Sequence, residues 1–158
     1  MRRPGLLAGL ILALAVAAPV AAAGGDHTQS FTDTFHGYQT DTQVNPCNGD
    51  TVNISETSSV VNHVTYFLAS DEVWGTFTEE DSQSAYDVGT GVTYVGHATF
   101  WGNINLNRQN ANSTFTGTIR ATGSDGSTIL YHVTAHFTML PSGDVSVSID
   151  DVSLTCGS

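Results

Sequence analysis

From Gln29 onward, Thr, Val, Phe, Tyr and Ile alternate with polar residues, and turn signals return every ten to fifteen positions. A period of two sends successive side chains to opposite faces of a strand, so this pattern predicts strands. No stretch carries apolar residues at the 3.6-residue spacing of an amphipathic helix. The predicted strands lie at about 29–40, 51–57, 59–69, 72–80, 92–106, 112–123, 127–140 and 144–154. The piece 51–69 is long for one straight strand, which predicts a bend near Glu56–Ser59. The polar, acidic stretch Glu79-Glu80-Asp81-Ser82-Gln83-Ser84 reads as a loop tip.

The turns set the register. Ser124-Asp125-Gly126 and Pro141-Ser142-Gly143 each end in glycine, as a three-residue hairpin loop with a left-handed last residue requires. The loop 124–126 pairs Gly123 with Ser127. It then sets Phe115 opposite Ala135, Gly117 opposite Val133, Ile119 opposite Tyr131, Thr118 opposite His132 and Thr114 opposite His136. A two-residue loop would place Thr118 opposite Val133 and mix apolar with polar positions, so the pattern selects the longer loop. A loop at Asn107–Asn110 puts Phe100 over Gly117 and His97 beside Arg120. The loop 141–143 sets Phe137 against Val147 and Thr134 against Asp150.

Two faces result. One holds Tyr94, Ala98, Phe100, Ile104, Phe115, Ile119, Ile129, Tyr131, Val133, Phe137, Met139, Val145 and Val147. The other holds His97, Trp101, Arg120, His132, His136 and Asp150 among threonines, and the 59–80 hairpin adds His63, Phe67 and Trp74. Sequential hairpins of about eight long strands predict an all-β fold, a single antiparallel up-and-down β-barrel, with a β-sandwich as the alternative. A solvated sheet face ordinarily carries many Lys and Glu, and the second face does not. It is either a plain exposed face with threonine chosen for strand propensity or a ligand-binding surface or lumen. On the second reading His97, Trp101, Arg120, His132, His136 and Asp150 are the candidate ligand-binding residues.

Residues 1–23 read as a secretory signal peptide: Arg2 and Arg3, an apolar stretch from Leu6 to Ala18, and small residues ending at Ala23. Residues 24–158 then form one domain, long enough to bury a core. The whole chain carries formal charge −11. Loss of Arg2 and Arg3 with the leader would make it −13, with no lysine and only Arg108 and Arg120 as strong bases. A surface this acidic repels phosphate backbones and anionic lipid, which excludes nucleic-acid partners. No later segment is long and apolar enough to span a membrane as a helix. Cys47 and Cys156 are an even pair in an exported chain, which predicts one disulfide.

The chemistry candidates are sparse. His132-x-x-x-His136 has helical metal-ligand spacing. On a strand, however, the two residues lie about 13 Å apart, too far for ligands each about 2 Å from one zinc. No metal and no cofactor are therefore assigned. Asp150 beside the histidines could orient an imidazole, and Arg120 beside His97 could hold a carboxylate. No nucleophile elbow or paired-carboxylate site completes a catalytic set, so no catalytic residue is assigned.

Val44-Asn45-Pro46-Cys47-Asn48-Gly49, Gly96-His97-Ala98-Thr99-Phe100-Trp101-Gly102, Gly123-Ser124-Asp125-Gly126-Ser127 with His132 to Phe137, and Cys156-Gly157 span most of the chain after the leader. On these pieces the chain resembles a group of small, uncharacterised secreted β proteins of actinobacteria. That group often has Thr where this chain has Asn48. The resemblance implies export and a compact β fold, and no activity. Three functions stand open. The first is a secreted lipocalin-like barrel binding a small, partly apolar ligand without catalysis. The second is an isomerase or cyclase on an allene-oxide-cyclase-like barrel, using His and Arg. The third is an extracellular interaction protein using an exposed Thr/His-rich sheet face. A cavity would separate the first two from the third.

Overall fold

The structure is a computed structural model that describes residues 28–107, 110–140, 142 and 144–158. The expected leader, 1–23, lies outside the described residues. Seven strands follow one another: β1 (Thr28–Val44), β2 (Thr51–Phe67), β3 (Glu72–Asp87), β4 (Thr93–Leu106), β5 (Ala111–Gly123), β6 (Thr128–Met139) and β7 (Val145–Gly157). All neighbours pair antiparallel in one sheet, in chain order. Among the described residues no helix is long and apolar enough to cross a membrane.

The strand count is seven rather than eight because 51–69 does not break near Glu56–Ser59. Alternation runs in phase from Val52 through Tyr66, and β2 stays in register with both neighbours across Glu56. The acidic stretch 79–84 is likewise no loop tip; it lies within β3, paired to β2 and β4. Polarity alone does not make a turn, and this stretch has no Gly or Pro to break the strand.

The sheet is not closed into a barrel. β1 pairs only with β2, and β7 only with β6. It nevertheless curls. Phe35 of β1 and Val133 of β6 line the same cavity, although five strand spacings in a flat sheet would separate them by about 24 Å. The Cys47–Cys156 disulfide, with Cα atoms 5.8 Å apart, joins the β1–β2 loop to the end of β7.

The register of β4, β5 and β6 matches the turn argument at each pair named above: His97 opposite Arg120, Phe100 opposite Gly117, Thr118 opposite His132 and Thr114 opposite His136. Gly126 takes φ +91°, the left-handed value that its place in the loop demands. Gly117 is required for a different reason. A Cβ there would lie 2.6 Å from the Phe100 ring, so the bare backbone is what lets that ring lie flat across β5.

One pair departs from expectation. Thr134 faces Asp151, not Asp150, because β7 carries a bulge between its pairings to Thr134 and Ala135. Val145, Val147 and Ile149 fall on odd positions, Val152 and Leu154 on even ones. One extra residue keeps both sets on the same face of the sheet.

The face holding Phe100, Phe115 and Tyr131 is the inner one. Phe77, Phe115, Val133 and Ala135 form its buried core, with Phe100, Tyr131 and Phe137 packed against them. At the disulfide end, two loops meet on Asp87, whose side chain is fully buried. One carboxylate oxygen accepts from Asn45 Nδ2 at 2.7 Å and Asn48 Nδ2 at 3.0 Å. The other accepts from the backbone N–H of Gly89 and of Thr90, each at 3.0 Å. The Asn-Pro-Cys-Asn-Gly segment is thus pinned by one buried carboxylate as well as by the disulfide.

Candidate functional site

Between the packed core and the disulfide end, the inner face leaves a cavity of about 500 Å³. Its two sides differ in chemistry. On β4, β5 and β6 it is lined by Tyr94, Phe100, Phe115, Ile119, Tyr131 and Val133. On β1, β2 and β3 apolar Phe35, Val52, Ile54 and Val60 accompany a polar group of Gln39, Asp41, Glu56, Glu79, Asp81 and Gln83. Strand alternation produces the acidic side. Glu79, Asp81 and Gln83 share the phase of Phe77 and Ala85, so they point inward while Glu80, Ser82 and Ser84 point out.

The carboxylates are unequally supported. Glu56 sits in a cross-strand row with Gln39 and Gln83, and both glutamine amides donate to it, Gln83 at 3.0 Å. Asp81 is 3% exposed, and its Oδ1 is buried without a hydrogen-bond partner. Burial first, and then the charges of Glu79 and Glu56, push the Asp81 carboxyl up to about 7. Burial, with Glu56, also raises Glu79. Burial raises the Tyr131 phenol across the cavity. A buried carboxylate facing like charges destabilises its surroundings unless a proton or a cation neutralises it.

The six residues singled out from sequence lie on the outer face. Trp101 is 54% exposed, and Arg120 is exposed beside His97. His97 lies in a shallow outer groove with His36, Ser59 and Glu80, and its Nδ1 is 3.5 Å from Ser82 Oγ. The groove does not include the other five. His136 and Asp150 do meet: Nε2 and Oδ2 are 2.7 Å apart, while Thr114 Oγ1 is 2.6 Å from Nδ1 of the same ring. One step along, Thr118 Oγ1 is 2.9 Å from His132 Nδ1, whose Nε2 is 4.0 Å from Asp151. The bulge supplies both aspartates, one to each histidine. These rows are cross-strand ladders of Thr, His and Asp running over β5, β6 and β7. They lie across the sheet from the cavity. Among the described residues no cluster of His, Cys, Asp and Glu is placed to hold a metal ion.

Reading the sequence missed Glu56, Glu79 and Asp81. The signal that could have found them is phase: Glu79 and Asp81 continue the apolar face of β3. No protein-family model, no curated protein and no solved structure matches this chain.

Proposed function

We propose that the protein is a secreted, non-enzymatic binding module, lipocalin-like in use, that takes one small, partly apolar ligand into the concave inner face of its sheet. The observation that carries this reading is the inner cavity itself, at about 500 Å³ large enough for a small organic molecule. Phe100, Phe115, Ile119 and Val133 offer apolar contact, and polar groups converge from β1, β2 and β3. In this reading the strands act as a barrel whose opening between β1 and β7 admits the ligand. Export is supported by the 1–23 segment and by a disulfide suited to an oxidising compartment.

An isomerase or cyclase using His and Arg finds less support. His36, His63, His97, His132, His136 and Arg120 are all on the outer face by register, away from the cavity. The exposed Trp74 and Trp101 favour a second use of that face, contact with an extracellular partner through His97, Trp101, Arg120, His132, His136 and Asp150.

The test uses N-phenyl-1-naphthylamine, a neutral apolar probe that brightens when it leaves water. Saturable binding is expected in wild type and in Trp101→Phe, and loss of binding in Ile119→Trp and Ala121→Phe, which fill the cavity. Circular dichroism establishes that the filled variants fold. Binding unchanged in both folded cavity variants, or abolished by Trp101→Phe, overturns the reading.

A further inference from the structure

We propose that the ligand is an organic monocation, its ammonium head set against Glu56, Glu79 and Asp81 and its apolar body along Phe100, Ile119 and Tyr131. This rests on the cavity being the binding site. Three carboxylates face one space, and the most buried of them has an oxygen with no hydrogen-bond partner. The fold supplies Glu56 with two amides but leaves Asp81 Oδ1 unsatisfied.

The described residues offer no internal counter-charge. Every described histidine and Arg120 points outward by strand register. The chain has no lysine, and Arg108 lies outside the described residues. A positive charge at these carboxylates therefore comes from outside the described residues. Among the described residues no cluster of His, Cys, Asp and Glu is placed to hold a metal ion, which favours an organic cation. An ammonium needs no such geometry; it takes hydrogen-bond acceptors and a low-dielectric wall. The Tyr94 and Phe100 rings on the facing side add attraction between their π faces and a cation.

The groups around Asp81 set the pH dependence. Glu79 stands on the same strand, Glu56 comes from β2, Asp41 from β1, and β4 brings the phenol of Tyr94. With Asp81 pushed up to about 7, the site is most anionic above neutrality and loses charge on acidification. An alkylammonium stays protonated throughout that range, since its pKa is near that of lysine, about 10.4.

The experiment displaces N-phenyl-1-naphthylamine from the intact protein with decylamine, decanol or decanoate, all below micelle formation, at pH 8 and pH 5. At pH 8 decylammonium should displace the probe at about tenfold lower concentration than decanol, with decanoate weakest. That preference should shrink to about threefold or less at pH 5, and in Asp81→Asn or Glu79→Gln at pH 8. Glu80→Gln, which removes an outward carboxylate of the same strand, should leave it intact. If decanol and decylamine compete equally, the cation inference is overturned and the cavity reading stands. If the preference survives both inner variants, bulk charge explains it, and the inference fails again. If no competitor displaces the probe, the cavity reading itself falls.

Discussion

Replacing Asp81 with asparagine removes one buried negative charge with almost no change of shape. The folded protein holds this carboxyl at about 7, against an ordinary value of 3.8. An acid whose folded pKa is raised costs nothing while protonated in both states. The cost begins as pH rises past the unfolded value, about 4, and is complete above about 7. The difference between the two values corresponds to about 4 kcal/mol. Screening by solvent in the open cavity reduces this to about 2 kcal/mol. The asparagine amide brings donors that the site does not satisfy, at a pH-independent cost of about 1 kcal/mol. Asp81→Asn should therefore be about 1 kcal/mol more stable than wild type at pH 8 and about 1 kcal/mol less stable at pH 4. In thermal unfolding of a domain this size the difference is about +3 °C at one pH and −3 °C at the other. Scanning calorimetry of both proteins across this range should find the curves crossing. A Tm difference of the same sign and size at both pH values would refute the assignment of Asp81 as a strained, uncompensated charge.

Other perturbations probe the frame around the cavity. Cys47→Ser with Cys156→Ser opens a covalent closure spanning 109 positions and should cost up to about 4–5 kcal/mol in urea unfolding. Asp87 is held well below the usual carboxylate range, chiefly by the backbone N–H of Thr90, with Asn48 and Asn45 adding to it. Its stabilisation is present at neutral pH and is lost as pH falls below about 4. Asp87→Ala should thus lower stability near pH 7 and flatten the acid limb of the stability–pH curve. Gly117→Ala pushes a methyl into the Phe100 ring and should cost about 1–3 kcal/mol, read by denaturant midpoint.

The central register was legible because two local devices agree. Glycine at the third loop position gives the turn, and only that turn keeps Thr118 with His132 and Phe115 with Ala135. The pairing of Thr134 with Asp150 fails because it ignores the switch of Val and Leu from odd to even positions between Ile149 and Val152, which demands one extra residue. The β3 interior is hard to read because charge ordinarily signals solvent. Glu79 and Asp81 point inward as the alternation dictates, and polarity overrode that cue. Which face curls inward and whether β1 meets β7 depend on the summed twist of seven strands, which no hairpin signal encodes. The inward turn of the Phe100 face is what leaves His97, Trp101, Arg120, His132, His136 and Asp150 across the sheet from the cavity.

The claim that the inner face is the binding face is tested most directly by isotope-filtered NMR of the labelled protein with unlabelled N-phenyl-1-naphthylamine. The account predicts intermolecular NOEs from the probe to the Ile119 and Val133 methyls and the Tyr131 ring, and none to the indoles of Trp74 and Trp101. NOEs to either indole without any to Ile119, Val133 or Tyr131 would contradict it.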